Sequence, residues 1–331
     1  MTASGPRTTV NVARPLGYLC AAGALAVGAL LLPGGTAPGA APSAGPGVTV
    51  EPSTGTSSPA TPACSGIRES LRPDGPLPVP GAMPSGSTMA AIAERGRLIA
   101  GVDQGKYLAG YRDPQTGQLA GADIDIVHTI AKAILGDPGA VQFVVLDIAD
   151  REKAVKDGKV DLVVDHFTVT CSRQRNVEFS SAYMTVTQRL LVPVGSGIRE
   201  VEDLRGRTVC TSRTSTNEGV LRALGLNVQT RTGIPDCVVD LQRGRVAAVS
   251  SDDVILAGLA AQDPQTEVVG RALDHSSYGV GMRLDQPDLV RFVNALLERS
   301  RQDGSLAASD QRWLGDVLDP VPQPPPARYR D

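Results

Sequence analysis

Aromatic residues are scarce: one Trp, six Tyr and four Phe make up 3% of the 331 residues. That scarcity argues against a nucleic-acid surface built on stacked rings. A formal net charge of −3 gives no basic excess for phosphate contacts either. Histidine occurs only at His128, His166 and His275, and no C-x-x-C pair is present, so no metal site is expected. The G-x-S-x-G, H-E-x-x-H, G-x-x-x-x-G-K-[ST] and G-x-G-x-x-G patterns are all missing. The commonest signs of a hydrolase, a metalloprotease, a P-loop enzyme and a dinucleotide enzyme are therefore absent, and no cofactor is implied.

What is present begins with an unusual first 63 residues. Arg7 and Arg14 precede an apolar run over 16–32, the pattern of an export signal. Residues 37–41 offer a cleavage site. Left uncleaved, the run is at the short end for a membrane anchor. Both outcomes stay open, and either places the chain outside the cytoplasm, secreted or tethered. Cys20 lies inside the apolar run behind Gly17-Tyr18-Leu19, a poor context for lipidation. Residues 33–63 are dominated by Pro, Ala, Gly, Ser and Thr, with too little apolar bulk to offset ordering, and read as a disordered linker.

The remaining cysteines are Cys64, Cys171, Cys210 and Cys237. An even set in an exported chain implies two disulfides, and three pairings are open. Pairing Cys210 with Cys237 closes a local loop and leaves Cys64 to tie the N-terminal segment to Cys171, the arrangement expected here.

From Arg97 onward, short Val/Leu/Ile-rich runs alternate with helical patterns. Strands are expected over 97–102, 141–147, 160–166, 189–194, 207–211, 246–251, 267–269 and 278–283. Ile124, Val127, Ile130, Ala131, Ile134 and Leu135 share one helix face, with Gly136 as a stop. Leu289, Phe292, Val293, Leu296 and Leu297 share another, between Pro287 and Gly304. Such alternation predicts α/β lobes with mainly parallel sheets. These apolar stripes are core. The proline-rich end, 320–331, reads as extended.

Polar residues collect where expected strands end. One strand runs through Asp165 and His166 to Thr168, Thr170 and Arg173. A second runs into Arg213, Thr214, Ser215 and Thr216, which open a helix, and a third ends on Asp252. Ligands of open α/β sheets lie outside the carboxyl ends of strands, and a helix N-terminus there offers N–H groups to an anion. An α-amino acid needs a bidentate guanidinium for its carboxylate and a carboxylate for its ammonium. Taken singly, each residue has a plainer role: Arg173 as a surface ion-pair partner, Asp252, Ser215 and Thr216 as helix caps.

Several segments together resemble the bacterial extracellular solute-binding proteins of family 3, the amino-acid receptors of ABC importers. They are Gly121-Ala-Asp-Ile-Asp125, Phe167-Thr-Val-Thr-Cys-Ser-Arg173, Val177-Glu-Phe-Ser-Ser-Ala-Tyr183, Asp203-Leu-Arg-Gly-Arg-Thr-Val209, Ser251-Asp-Asp253, Ser277-Tyr-Gly279 and Arg312-Trp-Leu-Gly315. The resemblance spans about 97–320. It is nearest the actinobacterial glutamate- or glutamine-binding branch, which has segments similar to 110–117 and a similar cysteine set.

The resemblance implies a two-lobed, type II periplasmic-binding-protein fold with a hinge-closing cleft. The first lobe is expected over 64–193 plus 284–320, the second over 194–283, and a tail over 321–331. It implies that Arg173 clamps the ligand carboxylate, that Thr168, Ser215 and Thr216 add donors, that Asp252 holds the ammonium, and that Tyr107 forms an aromatic wall. Arg213 and Lys106 are candidate partners for a side-chain carboxylate. Four positions depart from the family. Asp165-His166 stands where Lys-Thr is common, Thr214 where Gly is usual, Ile148 where an aromatic is frequent, and Ser172 where an acidic residue commonly precedes the Arg. An unpaired Asp165 would repel an acidic ligand, so it is expected to pair with His166 or Lys106. Asp123 and Asp125 are read as caps.

The implied function is binding of a free amino acid, glutamate first, then aspartate, glutamine and asparagine, by a monomer that hands it to an importer's permease. A membrane-coupled amino-acid sensor is the alternative. A dehydratase on the same fold is the remote one and would need a cleft acid or base, for which His166 and Asp165 are the candidates.

Overall fold

The structure, a computed structural model, describes residues 67–331. The export segment, the linker, Cys20 and Cys64 lie outside the described residues. In chain order the elements begin β1 (Ser70–Leu71), α1 (Thr88–Arg95), β2 (Leu98–Val102), β3 (Gly105–Lys106), β4 (Gly110–Arg112), β5 (Leu119–Ala120), α2 (Ala122–Leu135), β6 (Val141–Val145), α3 (Arg151–Lys156), β7 (Leu162–Val163), β8 (Glu178–Phe179) and β9 (Met184–Pro193). They continue β10 (Thr208–Ser212), α4 (Thr216–Ala223), β11 (Asn227–Arg231), α5 (Ile234–Gln242), β12 (Ala248–Asp252), α6 (Asp253–Gln262), β13 (Thr266–Tyr278), β14 (Gly281–Met282), α7 (Pro287–Gln302), α8 (Ser305–Leu314) and β15 (Tyr329–Arg330).

Two five-stranded sheets carry the architecture, in the orders β6-β2-β7-β14-β8 and β11-β10-β12-β9-β13. In each, three strands run parallel and two further strands join antiparallel. Of the parallel trios, β2, β7, β10 and β12 are the buried apolar runs legible in the sequence; β6 was expected too but is only partly buried, and the polar, partly exposed β11 was not expected. The expected helix stripes are buried as well. On α2, Ile124, Val127, Ile130, Ala131 and Ile134 are covered, and α7 starts on Pro287 and buries Leu289, Val293 and Leu297.

The chain passes between the sheets through β9 and β13, which pair antiparallel from Thr266↔Pro193 to Tyr278↔Met184, with a register shift between Val269 and Asp274. This differs from the expected lobe boundary at 193/194: Met184–Pro193 is a strand of the second sheet. Its first half, Met-Thr-Val-Thr-Gln, alternates in polarity and so lacks the continuous apolar run that marked the other strands. β13 was expected only over 267–269 and from 278, because the polar stretch Asp274-His-Ser-Ser277 hides the strand between. Conversely, of the expected strand over 160–166 only Leu162–Val163 is a strand, paired with Ala100 and Gly101 and flanked by bonds from the Asp161 N–H to the Ile99 carbonyl and from the Val164 N–H to the Gly101 carbonyl.

Gly121 enters α2 at φ 125°, and a Cβ there would fall 2.2 Å from the Ala109 carbonyl oxygen, so only glycine fits this turn. Asp123 and Asp125 do not cap α2, contrary to expectation, for no side chain bonds its N-terminus. Asp125 instead accepts from Ser309 Oγ and Trp313 Nε1, each at 2.6 Å, and from Arg312, tying α2 to α8. Cys210 and Cys237 form a disulfide that joins β10 to α5, with Cα atoms 5.4 Å apart. Cys171 is also disulfide-bonded; Cys64, its expected partner, is outside the described residues.

Candidate ligand-binding site

A small cavity lies between the carboxyl ends of the two sheets. Lys106, Ile148, Arg151, His166, Thr168 and Arg173 line it from the side of the first sheet. Ser212, Ser215, Thr216, Asn217, Ile234, Ser251, Asp252 and Ile255 line it from the second.

Arg173 is buried and opens a short helical turn, Arg173–Arg175. Its Nη1 donates to the Thr168 carbonyl at 2.7 Å, its Nε lies 3.6 Å from Glu152, and its main-chain N–H donates to Thr170 Oγ1 at 3.2 Å. Arg151 donates through Nη1 to the Asp165 carbonyl at 2.8 Å and through Nε to the Ile148 carbonyl at 3.2 Å. Among the described residues, Nη2 of each arginine makes no hydrogen bond. Both guanidiniums stand by the Phe167 ring, 4.5 Å from its centroid for Arg151 and 5.1 Å for Arg173. Burial, followed by the positive charge of Arg151, pulls the Arg173 guanidinium down to about 10. A carboxylate bound here would offset both effects through its opposite charge.

Lys106 ion-pairs with Asp165 and lies 3.2 Å from Asp103. Burial alone would lower its pKa; the charges of Asp165 and Asp103 outweigh burial and hold it above the usual lysine value. Asp165 is fully buried behind the cavity wall and is also 3.5 Å from Arg151. The expected pairing with Lys106 is therefore present, and Arg151 adds to it. Pairing with His166 is not seen. The His166 N–H and Nδ1 meet Asp123 Oδ2 at 2.7 and 2.6 Å. That double hold, with Tyr183 donating to Asp123 Oδ1 at 2.8 Å, keeps His166 at φ 45°, an uncommon conformation outside glycine. The His166 Nε2 is buried without a hydrogen-bond partner among the described residues.

Asp252 occupies the N-cap position of α6, yet its side chain makes no capping bond. The Tyr278 hydroxyl donates to Oδ2. Burial pushes the Asp252 carboxyl above its ordinary value, opposed by that hydroxyl and by His166. Ser215 does cap α4: its Oγ accepts from Glu218 N at 3.2 Å and donates to the Ser212 carbonyl at 2.7 Å. Thr214, where the family usually has glycine, sits at φ 60° and donates its N–H to Glu218 at 2.8 Å.

Besides Asp165, two expected site residues do not line the cavity. Arg213 is exposed and donates to Thr232 Oγ1 at 2.7 Å, away from it. Tyr107 packs edge-on against Tyr111, ring centroids 4.9 Å apart, because its loop follows the small sheet β3-β4-β5. The Tyr107 carbonyl instead faces Gly258 on α6, where a Cβ would be 2.6 Å from it. Sequence reasoning missed Arg151 and Asn217. Arg151 follows Asp147, Ile148 and Asp150 in a turn with no strand pattern, so nothing marked it as facing a cleft.

The family model for bacterial extracellular solute-binding proteins, family 3, matches residues 98–316. The chain belongs to that family. Its members are extracellular solute receptors. It is 31% identical over 230 residues to the ABC transporter glutamine-binding protein GlnH of Bacillus subtilis, covering 69% of this chain and 84% of that protein. It is 28% identical over 247 residues to the glutamate-binding protein GluB of Corynebacterium efficiens, covering 70% and 82%. Among solved structures it resembles the solute receptor for L-cysteine of Neisseria gonorrhoeae, with a TM-score of 0.67, 28% identity, and 71% and 98% of the two chains covered. The α/β fold is thus the two-lobed type II binding-protein fold.

Proposed function

We propose that this family member binds one free amino acid between its two lobes, with glutamate preferred, then aspartate, glutamine and asparagine, and delivers it to an ABC importer. The observation that carries this reading is the set of buried charges on one small cavity: Arg173, Arg151 and Asp252, beside Lys106, which is already paired with Asp165. Glutamate and aspartate bring two carboxylates and one ammonium. In our reading Arg173 takes the α-carboxylate through its unengaged Nη2, helped by the Thr168 hydroxyl. Asp252 takes the ammonium, and Arg151 takes the side-chain carboxylate. Ser215, Thr216 and Asn217 add donors at the start of α4, whose first N–H groups have no intrahelical partner. Lys106 and Asp165 neutralise each other beside the ligand, so Asp165 does not repel an acidic side chain. His166 completes that wall.

The importer assignment is supported by the relationship to the ABC transporter glutamine-binding protein of B. subtilis. We read the protein as a receptor and not an enzyme, so the ligand should leave unchanged. Isothermal titration of the full chain against the twenty amino acids tests the reading. Glutamate is expected to bind most tightly and to be recovered intact after denaturation. Tighter binding of arginine or lysine would overturn it, as would a chemically altered ligand.

A further inference from the structure

We propose that the two chain ends outside the family-matched region form a strap that positions Arg173; the inference rests on Arg173 being the carboxylate ligand. Residues 98–316 match the family, whereas β1 and β15 lie beyond them on either side. The two pair in parallel, Ser70↔Tyr329 and Leu71↔Arg330. This strap reaches the turn that carries Arg173 through the residue next to it, Gln174.

Gln174 is buried. Both polar ends of its side chain are engaged by the main chain of Arg68: Oε1 accepts from the Arg68 N–H and Nε2 donates to the Arg68 carbonyl, each at 2.7 Å. The Arg68 guanidinium returns a third bond, Nη2 to the Gln174 carbonyl, at 2.7 Å. The strap that follows Arg68 is held from several directions. Ser70 Oγ donates to the Phe179 carbonyl at 2.7 Å, and Asn294 of α7 donates to Ser70 Oγ and to the Leu71 carbonyl, each at 2.7 Å. On the other side, Arg330 pairs with Glu178 at 2.9 Å and donates to the Glu69 carbonyl.

A buried amide that loses both partners is costly, so without the strap the turn rearranges. Arg173 moves with it, because its hydrogen bonds, to Thr168 and Thr170, are local to the same turn, and its hold on Glu152 outside the turn is an ion pair at 3.6 Å without a hydrogen bond. Arg68, Gln174 and Arg330 are thus positioning residues that need not touch the ligand.

The test uses two variants of the full chain: one ending at Ala327, which removes β15, and Gln174→Met, which keeps side-chain length without its polar ends. Two readouts are taken well below the melting temperature. Titration with glutamate and glutamine is expected to show a dissociation constant raised about tenfold in both variants. Amide exchange over residues 170–177 in the ligand-free protein is expected to quicken in both. If exchange and affinity both stay at wild-type values while only the melting temperature falls, the strap merely stabilises the fold and the proposal is overturned. If the wild-type protein binds neither amino acid yet exchange quickens in the variants, the strap stands and the ligand assignment fails. Should the shortened chain unfold, Gln174→Met, which leaves the strap in place, decides alone.

Discussion

Arg173 and Thr168 are five residues apart, and the arginine's Nη1 reaches back to the Thr168 carbonyl at 2.7 Å. The turn therefore points its own guanidinium across its own mouth, toward the cavity. Replacing Arg173 by Ala is expected to weaken amino-acid binding by roughly 2–5 kcal/mol, the cost of removing one partner of a buried charge pair. Arg173→Lys should recover little, because an ammonium cannot hold Thr168 and grip a carboxylate bidentately. Calorimetric titration reads this, and circular dichroism checks that the fold is kept. Near-wild-type affinity in either variant would remove Arg173 from the ligand.

Arg151 should set selectivity where Arg173 sets affinity. Its partners at the Asp165 and Ile148 carbonyls leave Nη2 as the group facing a second carboxylate. Arg151→Met is expected to reduce glutamate affinity by at least about tenfold while glutamine loses less, since an unpaired buried carboxylate is the costlier case. Competition titration at neutral pH measures the ratio. An unchanged ratio would place the side chain elsewhere.

Thr214→Gly is expected to stabilise the protein. Thr214 is β-branched and holds φ 60°, a conformation costing a non-glycine residue roughly 1–2 kcal/mol. Glycine relieves that strain and gives part of it back through the freer unfolded chain. The net gain should be about 1 kcal/mol, seen as a rise of a few degrees in melting temperature. A fall would mean that the Thr214 side chain contributes more than its backbone costs.

How far this site is readable from sequence depends on where a residue's signal comes from. Arg173, Asp252 and Ser215 stand at the ends of strands with clear apolar runs, so the rule for ligands of open sheets points at them. Arg151 comes shortly after β6 ends at Val145, at the start of α3, where nothing in its neighbours singled it out, and it stayed hidden. Arg213 adjoins Thr214 and Ser215 in sequence, but the left-handed turn at Thr214 separates their directions, and spacing cannot show that. The long strands β9 and β13 were legible only in part. They cross from one sheet to the other and so never sit wholly in an apolar layer. Asp123 was read as a cap because it opens a helix, whereas its partners, His166 and Tyr183, are 43 and 60 residues away.

Stability should depend on pH through Asp310. This residue of α8 is buried, its Oδ2 lacks a hydrogen-bond partner among the described residues, and burial, then Asp123 and Asp125, raise its carboxyl from 3.8 to about 8. Between those values the unfolded chain releases the proton and the folded protein keeps it, so wild-type stability falls as pH rises and levels off above about 8. Asp310→Asn lacks this dependence. Its advantage over wild type should grow from about pH 4 to pH 8, reaching on the order of a few kcal/mol. Melting curves at pH 5 and pH 9 decide it, and equal differences at the two pH values would contradict the assignment.

The contact between Gly258 and the Tyr107 carbonyl has a consequence for how the two halves of the molecule meet. A Cβ at position 258 would stand 2.6 Å from that backbone oxygen, and no side-chain rotation can clear a backbone atom. A methyl group there acts as a doorstop, and a larger side chain as a wider one. Gly258 lies outside the cavity lining, so such a wedge touches none of the groups proposed to hold the amino acid. It separates grasping the ligand from shutting upon it. A Gly258→Leu protein would keep its amino-acid contacts in the half that carries Arg173 while remaining ajar, and would show how much of the affinity comes from the act of closing.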